Sequence, residues 1–223
     1  MLGVLINSFA VAAGSIAGLF LKTGIPERVR DTVMKGIGLV TAMLGMSFAL
    51  KSTNSIVMIL SIALGGVLGE IIDIDGFLNN IGQRFEQKLK HYGSVSEGFV
   101  TATLIFCVGA MAIVGSIQSG LSGDNTILIT KSGLDGITSI ILSSTFGAGV
   151  LLSSISVLIY QGTIVLLSSL LSSFVNDVLI NEMTAVGGLL IFGISLNILG
   201  ITKIKVANLL PAIFVPVVYF LIF

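Results

Sequence analysis

The side chains of this sequence that could hold a ligand are few and mostly uncharged. They are Gln118, Asp135, Ser144, Tyr160 and Gln161, with Asn7 and Asn197 as further amides. All lie in or beside long apolar runs, where polar groups are costly to keep and are functional candidates by default. A primary amide brings two donor positions and an acceptor, and tyrosine and serine add hydroxyls. Such a set suits non-covalent contact with a small solute. Each of the seven could equally serve as a hydrogen bond between helices. Reactive chemistry is poorly provided for. Cys107 and His91 are each the only residue of their type, so no metal cluster and no disulfide can be drawn from them. No nucleophile–base pairing is evident, and no Gly-x-x-x-x-Gly-Lys-Ser/Thr loop occurs. The chain is therefore expected to be no enzyme and to need no cofactor, and any transport it performs would run on a gradient.

The elements that must position these residues follow from composition. Of 223 residues 54% are apolar and only 10% charged, and the mean hydropathy is +1.09. A soluble domain carries about 25% charged residues to solvate its surface. This chain requires lipid around it, and lipid in turn requires helices, because backbone polar groups find no partners there. With zero net charge nothing points to nucleic acid. Stretches approaching the roughly 20 apolar residues of a span are Leu2–Leu21, Thr32–Leu50, Ser55–Ile72, Phe99–Ser116, Leu134–Val150, Ser153–Phe174, Met183–Leu199 and Val206–Phe223. The expected fold is an all-α polytopic membrane protein with about eight transmembrane helices. The fifth and sixth stretches form one long run, broken at Gly147-Ala148-Gly149. If Leu134–Val150 were instead a re-entrant hairpin, seven spans would remain.

Charge chooses between these. Cytoplasmic loops are enriched in Lys and Arg. Eight spans with both termini external put Lys22, Arg28, Arg30, Lys35, Arg84, Lys88, Lys90, Lys203 and Lys205 inside, and only Lys51 and Lys131 outside. Seven spans would move Lys203 and Lys205 outside. The apolar stretch Leu2–Leu21 precedes its basic residues, which is the order of an uncleaved span and the reverse of a signal peptide.

The sequence also repeats itself. Met34-Lys-Gly-Ile-Gly-Leu-Val-Thr resembles Met183-Thr-Ala-Val-Gly-Gly-Leu-Leu, Gly45-Met-Ser47 resembles Gly193-Ile-Ser195, and Ala13-Gly-Ser-Ile16 resembles Gln161-Gly-Thr-Ile164, all at an offset of 148 or 149. This predicts an inverted repeat of spans 1–3 and 6–8, with units at residues 1–72 and 151–223. Residues 99–150 supply the connecting fourth and fifth spans. Residues 73–98 form a cytoplasmic loop in which Phe77, Ile81, Phe85 and Leu89 recur every four positions, as in an amphipathic helix lying at the interface or packed on its own bundle. Asp135, Ser139, Ser143 and Gly147 are also spaced by four, and Ser153, Ser156, Tyr160 and Thr163 share a face. These stripes could line a hydrated path or bond to each other. With no Lys or Arg placed in mid-span, a neutral or zwitterionic solute, or a cation, fits more simply than an anion.

The segment Gly109-Ala-Met-Ala-Ile-Val-Gly-Ser-Ile-Gln118, with Lys131-Ser-Gly-Leu-Asp135-Gly, Tyr160-Gln161-Gly162, Gly3-Val-Leu-Ile-Asn7 and Asn208-Leu-Leu-Pro211-Ala, resembles the YqgA-like and YdfK-like bacterial membrane proteins, domain of unknown function 554. The resemblance covers the whole chain. It implies a multi-pass protein of the bacterial plasma membrane and carries no established activity. The residues themselves point to a small secondary transporter for a small solute or ion. An ion channel or a non-transporting assembly or regulatory component are the alternatives. The expected partners are the lipid bilayer and that solute, with a homodimer possible through small-residue faces.

Overall fold

The computed structural model describes residues 1–22, 27–78, 80, 95–108, 110–171 and 176–222. Among these the regular structure is helical, in the order α1 (Leu2–Lys22), α2 (Glu27–Ala49), α3 (Ser55–Ile72), α4 (Val95–Cys107), α5 (Ala110–Ser122), α6 (Thr126–Phe146), α7 (Gly149–Leu166), α8 (Ser168–Leu171), α9 (Asp177–Ile198), a 3-10 helix (Val206–Phe214) and α10 (Val215–Ile222). Among the described residues five helices are long and apolar enough to cross a membrane: α1, α2, α3, α7 and α9. The count is six if α4 and α5, bent by 59° at their junction, make one broken span. The chain is thus a multi-pass helical membrane protein. Most of the expected amphipathic loop helix, from Ile81 through Leu89, lies outside the described residues.

Side-chain caps and turn geometry set the helix ends. Asn54 accepts from the amides of Ile56 and Val57 to start α3, and Asn176 accepts from Leu179 to start α9. Asp124 accepts from the amide and hydroxyl of Thr126 and so starts α6, eight residues before the apolar run at Leu134. That early start draws Lys131, expected in an external loop, into the body of a helix. Gly147 ends α6 at φ 86, a conformation that an L side chain resists. The expected break at Gly147-Ala148-Gly149 is therefore the α6–α7 turn. The expected single span Phe99–Ser116 is instead divided between α4 and α5. The last stretch is also divided, with Pro211 lying inside the 3-10 portion.

The helices fall into two compact units that interleave along the chain. One comprises residues 1–26 and 81–175, the other residues 27–80 and 176–223. In the first, α1 lies parallel to α6. Gly3 meets Leu128, Gly14 meets Ser139 and the Gly136 carbonyl, and Gly18 meets Ser143 and the Ile140 carbonyl, so the contact continues along both helices. Helix α7 runs antiparallel to α1, with Ser8 near Ser154 and Asn7 near Gln161. In the second unit α2 and α9 are antiparallel, Gly38 meeting Leu199 and Gly45 meeting Gly188. Helix α3 and the 3-10 helix are antiparallel as well, Gly65 meeting Ala212 and Gly69 meeting Asn208. Small residues at these crossings let backbones approach closely where lipid supplies no hydrophobic drive between helices.

Candidate functional site: a buried ion pair with two amides

Lys131 and Asp135 are four residues apart on α6, which puts them on one face. The ammonium of Lys131 donates to both carboxylate oxygens of Asp135, at 2.7 and 2.6 Å. Asn7 on α1 donates through Nδ2 to Asp135 Oδ2 at 3.0 Å and to Gln161 Oε1, on α7, at 3.2 Å. Lys131 and Asp135 are each 6% exposed, and Asn7 and Gln161 are fully buried. Three helices of the first unit therefore converge on one ion pair. Cys107, the last residue of α4, is buried as well.

Burial makes this cluster expensive. Each charge loses several kcal/mol of hydration on entering an apolar interior, and mutual attraction restores that only with good geometry and extra hydrogen bonds. The double contact from Lys131 and the third from Asn7 provide them. Two polar atoms are nevertheless left over. Asn7 Oδ1 and Gln161 Nε2 are buried and make no hydrogen bond. Buried polar atoms are normally paired, and an orphan requires a reason. Asp135 is the tenth of the 21 residues of α6, about 13 Å from its start at 1.5 Å per residue. The pair therefore sits near the middle of the helix.

The family model described as "Protein of unknown function (DUF554)" matches residues 2–221. The chain belongs to this family. Among relatives, it is 40% identical to "Uncharacterized membrane protein YdfK" of Bacillus subtilis (strain 168), over 100% of this chain and 97% of that protein. It is 31% identical to "Uncharacterized protein YqgA" of Escherichia coli (strain K12), over 96% and 93% respectively. No solved structure matches.

In this DUF554 chain the structure brings together three of the seven residues picked from sequence: Asn7, Asp135 and Gln161. Tyr160 is half-buried beside Gln161 on α7. Gln118 lies elsewhere, at the end of α5, where it donates to Asp124 at 2.8 Å. The Thr126 hydroxyl and amide hold the exposed Asp124 carboxyl below the usual carboxylate range. Ser144 bonds its own helix at Ile141. Asn197 belongs to the second unit, where it accepts from the Ile204 amide and the Thr202 hydroxyl and donates to the Ile204 carbonyl, closing the turn after α9. The serine stripe of α6 faces inward, but Ser139 and Ser143 donate to carbonyls of Gly136 and Gly147, so it is a packing face.

Sequence reasoning missed Lys131, although its four-residue spacing to Asp135 was a usable signal. It also passed over Glu182, a fully buried carboxylate on α9. Glu182 accepts from the Ser52 and Thr53 hydroxyls and from the Thr53 and Asn54 amides, between 2.7 and 3.1 Å. It pins the α2–α3 turn through four donors of the chain itself. At the other end of α3, Glu70 accepts from Lys205 and Asn208, and the carboxylate raises the Lys205 ammonium above its usual range.

Proposed function

We propose that the chain is a small secondary transporter that moves a small solute or ion across the bacterial plasma membrane by alternating access, with its site at Asn7, Lys131, Asp135 and Gln161. One observation carries the reading: a nearly fully buried ion pair, bonded by the Asn7 amide of a second helix, which is itself bonded to Gln161 of a third, with two buried polar atoms left without a partner. Charges inside a membrane helix bundle are expensive, and they mark solute or ion pathways more often than they mark packing alone.

The transporter is read as eight spans with both termini external. Helix α6 falls short of a simple apolar span because it carries Lys131 and Asp135, yet it accompanies α1 from Gly3 to Gly18. The 3-10 helix and α10 together run antiparallel to α3. Adding these two to the six apolar candidates gives eight. The inverted repeat draws support from the pairing of its matched elements. Spans 1 and 6, 2 and 7, and 3 and 8 correspond to α1 with α7, α2 with α9, and α3 with the 3-10 helix, and each pair packs antiparallel within one unit. Inverted repeats of transporters place their site near mid-membrane, often beside broken helices such as the α4–α5 pair.

Reconstitution into liposomes tests the reading. Flux of a panel of salts and neutral solutes is expected to saturate and to show counterflow, and Asn7→Ala and Gln161→Ala, checked for monodispersity, are expected to lose it. Single-channel currents would instead favour a pore. Folded protein with no flux over the panel would move the assignment to a non-transporting membrane component.

A further inference from the structure

The cluster is electrically closed but incomplete in hydrogen bonds. Lys131 and Asp135 cancel in charge, so the site as a whole is neutral. Asn7 uses both amide hydrogens, on Asp135 and Gln161, and keeps a free acceptor at Oδ1. Gln161 accepts through Oε1 and keeps a free donor group at Nε2. An ammonium has three donors, and two of those of Lys131 sit on Asp135 oxygens. The vacant capacity thus comes in two kinds. Donors remain at Lys131 and Gln161, and an acceptor remains at Asn7, bonded to the carboxylate of Asp135.

We infer that the substrate is a small zwitterion of the amino-acid type, its carboxylate received by Lys131 and Gln161 and its ammonium by Asp135 and Asn7. This rests on the transporter reading of the same site. Entry exchanges one internal ion pair for two, and both orphan amide atoms gain partners. The total charge stays zero throughout, so no unpaired charge is left in an apolar interior. A lone inorganic cation would have to displace Lys131 from Asp135 and leave excess positive charge buried. An anion would do the reverse. A neutral amide would answer the open valences but would leave the ion pair without a role.

The test is counterflow in proteoliposomes with radiolabelled glycine, L-alanine and a labelled mixture of the common amino acids. Parallel arms use rubidium, acetate and urea. Amino-acid counterflow is expected, competed by unlabelled glycine but not by glycinamide or acetate, which each carry one of the two charges. Asp135→Asn and Lys131→Met are expected to lower it by roughly ten- to a hundredfold, the worth of one charge-assisted hydrogen bond. Because each single variant strands a buried charge and could misfold, the double variant Lys131→Met/Asp135→Leu accompanies them. Replacing a buried pair by apolar residues is often neutral for stability. It is expected to stay monodisperse and to show no amino-acid counterflow. Amino-acid flux retained in the folded double variant would overturn the assignment of the site. Flux of rubidium, acetate or urea with none of amino acids would leave the transporter reading standing and remove the zwitterion. Flux of none would remove both.

Discussion

Asp135 and Glu182 are both buried carboxylates, and the difference in how they are matched separates a site from a brace. Asp135 is balanced by a cation and one amide, in a cluster that keeps open valences. Glu182 is matched by four neutral donors from one turn, two hydroxyls and two amides, and both of its oxygens have partners. Its expected role is stability alone. Glu182→Ala strands the Thr53 and Asn54 amides and is expected to cost about 2–4 kcal/mol, as several charge-assisted bonds are lost together. It should appear as a lowered melting temperature in detergent with flux unchanged in the surviving folded protein. Loss of flux at unchanged melting temperature would show that the brace is part of the transport cycle. Neither role was legible from residue type. Amides and carboxylates in apolar runs could be picked out, but Asn7 meets its ion pair through neighbours more than a hundred residues away, and Asn197 closes a turn only because the chain after α9 folds back to bring Thr202 and Ile204 onto its amide. Lys131 was hidden for a more local reason, since the start of α6 is set by Asp124 and precedes its apolar run.

At the scale of elements, the sequence was informative where a single apolar run ends in clear turn signals, as in α1 and α3, whose bounds match within a residue, and poor where a run is long, polar in part or bent, as in α7, expected over Ser153–Phe174 and found at Gly149–Leu166. Helix α6 shows the cost of reading by hydropathy. It carries the site's charges, and its apolar stretch begins eight residues after the helix does. What fixes α6 in place is the run of glycines on α1. A Cβ at Gly14 would strike Ser139 Oγ and the Gly136 carbonyl, and one at Gly18 would strike the Ile140 carbonyl. Backbone cannot move aside as a side-chain tip can. Overpacking of this kind typically costs about 1–3 kcal/mol. Gly14→Val and Gly18→Val are expected to reach at least that range, lowering the melting temperature. They should also weaken solute binding, because separating α1 from α6 lengthens the Asn7–Asp135 bond. By contrast Gly133→Ala, where nothing lies within 4 Å, should be silent in both measurements. A Gly14→Val protein as stable and active as the wild type would mean that the two helices are not packed through this face.

For the whole molecule, the decisive quantity is the direction of each helix, and the positive-inside count and the packing bear on it independently. The charge count depends on Lys203 and Lys205 being cytoplasmic, and it gave Lys131 to the exterior although that residue is buried within α6. Removing Lys131 from the count strengthens the asymmetry, since Lys51 alone is then external. Packing adds that α6 runs beside α1 and that α7 returns against it. Single cysteines placed in a Cys107→Ser background separate the two topologies by labelling whole cells with a membrane-impermeant maleimide. Ser122→Cys, exposed at the end of α5, is external with either seven or eight spans, and Asp31→Cys on α2 is cytoplasmic with either. Lys203→Cys, exposed in the turn after α9, is the discriminating position. Eight spans require it to label only after permeabilisation, like Asp31→Cys. Labelling from outside would take α6 out of the set of spans. The matched pair α1 and α7 would then no longer be inverted, and the ion pair would lie on a hairpin dipping into the membrane, closer to a pore lining than to the centre of an alternating-access bundle.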